Sequence, residues 1–292
     1  MRRSSLCSVT FLAILLLGMS VVISGCGLGS TGGSSGSGRD PYPPQDVSGV
    51  WYGWIGPTFA VGIITTDDGE AYTARFIGNE RQFITPIDPS TMEELPLRQV
   101  EYSAVFEGVL DDCSWHGQGY ADYRSFTERL SIFASAATKK VFGVFMFSGY
   151  SYLDRDEAGP LAFFYTTTSD VAPDVNDLAG RWRFENTQYA GNTMALTITP
   201  VTAERAGVAG QDTRGNTFDG TIEIRYSPPD IEQKNIYDVS LRLNNLHDLK
   251  GLAAYVLEVN TMGVTIDEKT LALGVTNAER TISVTGLGTQ DP

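Results

Sequence analysis

The sequence predicts an all-β fold made of two tandem antiparallel units, each a meander barrel or a sandwich. Apolar and polar residues alternate with a period of two in both halves of the 292-residue chain, for example over residues 72–76 and 237–243, and this is the period of a half-buried strand. Turn sequences separate these runs, such as Asp-Asp-Gly at 67–69 and Ser-Pro-Pro-Asp at 227–230. A sequence pattern that occurs once in each half indicates two units.

The N-terminal residues 1–25 are predicted to form a signal peptide. Arg2 and Arg3 provide a basic start, and residues 9–22 form an uncharged apolar run. A run of this length is typical of a secretory signal and is shorter than the roughly 20 apolar residues of a membrane-spanning helix. It leads into the sequence Ile-Ser-Gly-Cys at residues 23–26.

Residues 23–26 resemble the lipobox of bacterial lipoproteins, in which an aliphatic residue and two small residues precede an acceptor cysteine. The resemblance implies cleavage between Gly25 and Cys26, and attachment of a diacylglycerol and an acyl chain such as palmitate to Cys26. Because each buried CH₂ contributes about 0.8 kcal/mol, these chains would hold the protein firmly on a membrane. An ordinary secretory signal cut elsewhere and an uncleaved membrane anchor are the alternatives.

Gly27 follows the lipobox at the position where, by the same resemblance, Asp would favour retention in the inner membrane. We therefore expect a place in the cell envelope at the outer membrane rather than the inner membrane, with the body in the periplasm or at the cell surface. Residues 26–45 then form a lipid-bearing linker rich in Gly, Ser and Pro. About 18 residues of flexible coil reach on the order of 20–25 Å, which lets the body clear the lipid headgroups.

Charge and cysteine content restrict the partners of the protein. The chain has 21 Lys and Arg against 35 Asp and Glu, a formal net charge of −14, which argues against nucleic acid and against electrostatic binding to anionic lipid. Cys7 leaves with the signal and Cys26 is acylated, so only Cys113 of the three cysteines remains. We therefore expect no intramolecular disulfide, and a small buried side chain at Cys113.

The pattern shared by the two halves is Asp-aliphatic-small-Gly-x-Trp, at residues 46–51 and 177–182. A proline, Pro173, lies just before the second copy. Two domains of similar length follow from this repeat. The predicted organisation is a β-domain at 46–170, a link at 171–176 and a second β-domain at 177–292.

A Gly-x-Trp sequence at the start of a meander barrel resembles the opening motif of the lipocalins and of the wider calycins. Gly49 and Trp51 match this motif in the first half, and Gly180 and Trp182 match it in the second. The resemblance implies calycin-like barrels of eight strands, in which the Trp closes one barrel end and the interior holds a small apolar ligand. The alternative is that each Trp is a large core side chain of a small β-domain.

No combination of residues selects a reaction, a metal or a cofactor. The two histidines, His116 and His247, lie in different halves, so a histidine-rich zinc pattern does not form. The acidic segment 154–159 begins like a calcium-binding loop, but Ala158 and Tyr165 occupy two of its ligand positions. We therefore expect no catalytic residues, no metal and no cofactor.

Residues 141–152 and 161–165 carry aromatic and aliphatic residues at both parities. A strand pair that is apolar on both faces must bury its outer face. Either the second domain or a loop covers that face, or the face is a docking surface for an envelope partner or a wall for an apolar ligand. The residues of this candidate binding surface are Phe142, Phe145, Phe147, Tyr150, Tyr152 and Phe163.

Together these features predict a membrane-anchored extracytoplasmic lipoprotein with a non-enzymatic binding or envelope-structural role. Its expected partners are the membrane, through the lipid anchor, and an envelope protein or a small apolar ligand. A carrier of small apolar ligands in lipocalin-like barrels is the alternative. A hydrolase of envelope polymers is a second alternative because carboxylates are plentiful, although no spacing selects a catalytic pair.

Overall fold

The computed structural model of this chain is built from antiparallel strands and a 3₁₀ turn at Thr167–Asp170. The prediction of an all-β fold with antiparallel barrels or sandwiches is confirmed. Cys26, the linker 26–45, Cys113 and Phe142 lie outside the described residues. The structure describes residues 48–55, 58–66, 72–84, 88, 90–94, 98–111, 114–121, 124–126, 131–135, 140–141, 144–152, 158–185, 187, 192–227, 233–256, 259–261, 264–266 and 269–291.

The first half forms one antiparallel sheet. Its strands are β1 Gly49–Ile55, β2 Thr58–Thr66, β3 Tyr72–Ile84, β4 Arg98–Asp111, β5 Ser114–Ala121, β6 Arg124–Phe126, β7 Ser131–Ser135, β8 Lys140–Val141, β9 Val144–Tyr152 and β10 Ala158–Tyr165. They pair in the order β6-β5-β4-β3-β2-β1-β10-β9-β7, and β8 pairs with β9. The first strand of this half therefore pairs with its last strand, and Trp51 lies opposite Tyr165.

The second half forms a closed antiparallel barrel of eight strands. Its strands, together with those of a separate hairpin, are β11 Gly180–Glu185, β12 Thr193–Pro200, β13 Arg205–Asp212, β14 Thr217–Ile224, β15 Ile236–Leu243, β16 His247–Val256, β17 Val259–Thr261, β18 Val264–Ile266, β19 Thr270–Thr276 and β20 Ser283–Gln290. The barrel order is β11-β12-β13-β14-β15-β16-β19-β20, with β17 and β18 paired only with each other. Closure joins β11 to β20, where Trp182 lies opposite Gln290.

The two copies of the Gly-x-Trp sequence occupy matching positions. Gly49 begins β1 with φ of 140°, and Gly180 begins β11 with φ of 126°. These are backbone conformations that side chains other than glycine rarely adopt. A Cβ at Gly49 would lie 2.7 Å from the Tyr165 ring, and a Cβ at Gly180 would lie 2.9 Å from the Gln290 amide. Glycine at each position thus lets the first strand of each half pass close to the last.

Large side chains fill the interior of the second barrel. The fully buried members of this core include Trp182, Phe184, Leu196, Ile222, Tyr237, Leu249 and Tyr255. Trp182 packs edge-on against Tyr255, with ring centroids 5.8 Å apart, and its indole N–H donates to the carbonyl of Leu178 at 2.8 Å. Leu178 and Val175 are themselves fully buried in this core. The turn that precedes β11 is therefore part of the core into which Trp182 packs.

The two halves meet along a buried apolar surface, which we call the seam. Its buried residues are Val50, Tyr52, Val61, Ile63, Ile77, Val105 and Phe164 from the first half, and Ile236, Leu252, Ala254, Val256 and Ala272 from the second. The neighbouring residues Phe163 and Phe164 of β10 point to opposite faces of the sheet and are buried in different places. Phe163 packs 5.2 Å from Phe76 within the first half, whereas Phe164 belongs to the seam.

Candidate functional site

The best-defined polar site joins the segment after β10 to both halves. We call residues 166–170 the strap. The Ser169 hydroxyl accepts a hydrogen bond from the backbone N–H of Val50 at 2.6 Å, and the Ser169 carbonyl accepts one from the N–H of Asn235 at 3.0 Å. One strap residue thus contacts the start of β1 and the segment that leads into β15.

A buried lysine supplies the charge of this site. The Lys234 ammonium donates to the Asp170 carboxylate at 2.8 Å and to the Tyr165 hydroxyl at 3.1 Å. The Tyr165 hydroxyl in turn donates to Asp170 at 2.5 Å. Only 8% of the Lys234 side chain is exposed, against 42% for Asp170. The three side chains, which we call the Lys234 cluster, therefore bridge the end of β10, the strap and the second half.

The Lys234 cluster sets the protonation states of its lysine and its tyrosine. Burial, reinforced by the hydrogen bond to Asp170, raises the pKa of Tyr165 to about 12. Burial opposes the charge on Lys234, but the hydrogen bonds to Asp170 and Tyr165 more than compensate, so its pKa lies above the ordinary value. At neutral pH the lysine is protonated and the tyrosine is neutral. Neither group then offers the free lone pair of a general base or an activated nucleophile.

A narrow crevice lies beside the Lys234 cluster, next to the residue that precedes β1. Its volume is about 10 Å³, which is the room of about one water molecule. Two cations, Lys234 and Arg225, line it, and Arg225 forms an ion pair with Asp238 at 2.6 Å. The other lining residues are Ser48, Ile64, Thr65, Ser227 and Ile236.

The tryptophans of the repeat are both buried. Trp51 packs edge-on against Tyr165 with ring centroids 5.2 Å apart, and Trp182 donates its indole N–H to the carbonyl of the buried Leu178. Tyr165 thus contacts the repeat tryptophan through its ring and the Lys234 cluster through its hydroxyl. The repeat of the first half is therefore linked directly to the polar site.

The candidate binding surface is only partly within the described residues. Phe163 is 1% exposed and packs inside the first half, so it is not available at a surface. The backbone of β9 carries Phe145, Phe147, Tyr150 and Tyr152 next to β10. Phe164, which the sequence interpretation did not select, is the residue of this region that lies in the seam.

Sequence reasoning also missed the strap and the Lys234 cluster. Ser169 and Asp170 follow a strand and resemble ordinary loop residues, and Lys234 resembles a solvated charge before a strand. The contact between Lys234 and Asp170 spans 64 positions, so no local pattern signals it. Of the two histidines, His247 is exposed at the start of β16.

Comparison of this chain with protein-family models, with curated proteins and with solved structures finds no match. Within the described ranges, no group of three or more His, Cys, Asp or Glu side chains is arranged to hold a metal ion. The same part of the chain contains no helix that is long and apolar enough to cross a membrane.

Proposed function

We propose that this protein is a lipid-anchored component of a cell envelope whose folded body has a non-enzymatic binding or structural role. The main support for a non-enzymatic role is that the polar groups of the Lys234 cluster are engaged with one another. Its lysine, carboxylate and phenol bind one another between the two halves. A protonated lysine and a neutral tyrosine that bind the same carboxylate stabilise a junction, and neither of these two groups is available as a base or a nucleophile.

The packing of the second barrel supports recognition at the outside of the body. Trp182, Phe184, Tyr237 and Tyr255 fill the barrel interior. The Tyr237 hydroxyl is also engaged, because it donates to the Asp174 carbonyl at 3.2 Å. A partner would then meet the exposed loops and strand faces of a rigid body. Such a role requires a defined surface and an anchor, but no catalytic centre.

Acylation of Cys26 can be tested directly. The net charge of −14 opposes binding to anionic lipid, so acylation of Cys26 would supply the membrane affinity. We expect metabolic labelling with an alkyne analogue of palmitate to mark the wild-type protein, and Cys26→Ser to abolish the label. Cys7→Ser is the matched control and should keep the label. Retention of the label by Cys26→Ser would contradict the lipoprotein proposal.

A carrier of small apolar ligands is the second candidate function. It is supported by the Gly-x-Trp sequences that begin β1 and β11 and by the eight-stranded closure of the second half. Barrels of eight strands are either filled by side chains or wide enough for one small ligand. The carrier role therefore depends on whether a ligand accompanies the folded protein.

Native mass spectrometry separates the two functions. The protein of residues 40–292, purified from the periplasm without its lipid, should give the mass of the polypeptide alone if its role is binding or structural. A small molecule that co-purifies and leaves on mild denaturation would support the carrier function instead. The same spectrum recorded for Trp182→Phe identifies whether such a ligand occupies the second barrel.

A further inference from the structure

We propose that the strap, together with Lys234 and Asn235, locks the two β units into one rigid body that does not hinge at the link between them. This inference concerns how the body moves, and it rests on the junction role proposed above for the Lys234 cluster. Domains joined by a link usually move relative to one another unless their interface is large and apolar. The seam and the strap supply both an apolar interface and a polar lock.

The seam brings the two halves into close contact at the backbone of β19. A Cβ at Gly274 would lie 3.0 Å from Val105 and 3.1 Å from Ile77. Side chains of the first half therefore rest almost directly on the backbone of the second. Ile77 and Ala272 are both fully buried, as expected of surfaces that remain in contact rather than separating into water.

An arginine crosses the seam. Arg75, on β3, is 7% exposed and donates to the Gly274 carbonyl at 3.1 Å. Its other terminal nitrogen donates to Glu107 at 2.5 Å, so the charge is neutralised within the first half. Opening the seam would break the hydrogen bond between Arg75 and the Gly274 carbonyl, while Glu107 keeps the guanidinium in place. Because this charge-assisted bond would be lost, small hinge movements are disfavoured.

The strap adds hydrogen bonds to both halves over a short length of chain. Asn235 contacts it twice, through its backbone N–H to the Ser169 carbonyl at 3.0 Å and through its side-chain amide to the Thr168 carbonyl at 3.4 Å. Lys234 binds Asp170 next to these contacts. The hydroxyl of Ser169 is at the same time hydrogen-bonded to the backbone of Val50. A hinge in the link would have to break these contacts together.

Cutting the chain beside the strap tests the proposal. Ala172 is exposed, so a protease site can be inserted between Ala172 and Pro173 of the full chain without opening the core. After cleavage the strap stays with the first fragment, while Lys234 and Asn235 stay with the second. We expect the two fragments to remain a one-to-one complex at micromolar concentration, as measured by size exclusion and native mass spectrometry.

Substitutions then measure how much Lys234 contributes to the affinity between the two fragments. Lys234→Met should weaken the cleaved complex by about tenfold or more. Arg242→Met is the matched control, because it removes an exposed ion pair with Asp248 outside the seam, and it should leave the affinity unchanged. If Lys234→Met does not fold, Asp170→Asn removes the same charge pair from the more exposed side. Separation of the wild-type fragments, or equal affinities for Lys234→Met and Arg242→Met, would overturn the proposal.

Discussion

Three glycines of the described residues have positive φ. Comparing alanine at these positions separates two contributions to the loss of stability: the strained backbone and the contact with a neighbouring side chain. Gly215 has φ of 85° and open space around its Cβ position, whereas Gly180 and Gly49 have φ of 126° and 140° with a side chain close by. Alanine at Gly215 would pay mainly for the backbone conformation, about 1 kcal/mol. Alanine at Gly180 adds contact with the terminal amide of Gln290, which must shift against its hydrogen bond to the Ala179 carbonyl, for a total of about 2 kcal/mol.

Alanine at Gly49 should be the most destabilising of the three substitutions. Its Cβ would meet the Tyr165 ring at 2.7 Å, and that ring cannot move freely because it packs on Trp51 while its hydroxyl is bound by Lys234 and Asp170. Overpacking of about 1–3 kcal/mol adds to the backbone strain, so we expect a loss of about 4 kcal/mol in the free energy of unfolding.

Urea denaturation measures these three costs. The midpoints of Gly215→Ala, Gly180→Ala and Gly49→Ala should fall in that order, with unchanged slopes, because only the folded state is affected. Circular dichroism before denaturation shows whether each variant is folded. A loss for Gly215→Ala as large as that for Gly49→Ala would refute the reasoning, since the neighbouring side chain would then contribute nothing.

Two further predictions concern the second barrel. Burial raises the pKa of Tyr255 to about 12 from an ordinary value of 10.0; the unfolded chain therefore loses this proton first, and the free energy of unfolding should fall as pH rises from about 10 to 12. Between about pH 10 and 12 the urea midpoint should fall less steeply with pH for Tyr255→Phe than for the wild type. The same pH dependence in both proteins would contradict the prediction. Asp212 accepts hydrogen bonds from the N–H groups of Arg214 and Asn216, both at 2.9 Å. Asp212→Ala should cost about 2–3 kcal/mol and speed amide exchange at Asn216, whereas Asp248→Ala on the exposed barrel surface should change neither.

The strand content and the antiparallel architecture followed from the sequence because period-two alternation is a local signal. Val239 and Leu241 point inward from β15, as the alternation indicates, and both are buried in the barrel core. The Gly-x-Trp repeat was also visible, since glycine and tryptophan are distinctive residues at a fixed spacing. These signals depend on the backbone of one strand and do not require knowledge of a distant partner.

The seam and the strap did not follow from the sequence because they depend on which elements meet. The apolar residues at both parities of 161–165 indicated that both faces of a strand are buried. The second domain was one of the covers expected, but the sequence did not choose between it, a loop, a partner and a ligand, and Phe164 in the seam now identifies the second half as a cover. Ala254 and Ala272 are small residues that gave no sign of an interface, and both are fully buried in the seam. Lys234 looked solvated because its partner lies far away in sequence.

Closure of the second barrel has a consequence for the order in which the chain can fold. The Gln290 amide donates to the Ala179 carbonyl across 111 positions of sequence, and β11 pairs with β20 at that point. During folding, β11 stays without this partner until residues 283–290 pair with it, and for that interval the apolar strands between them have no closed core. Pairings of such long range fold slowly, and the interval leaves strand edges open to other chains. Pairing of β11 with β20 is therefore the step that removes these open edges.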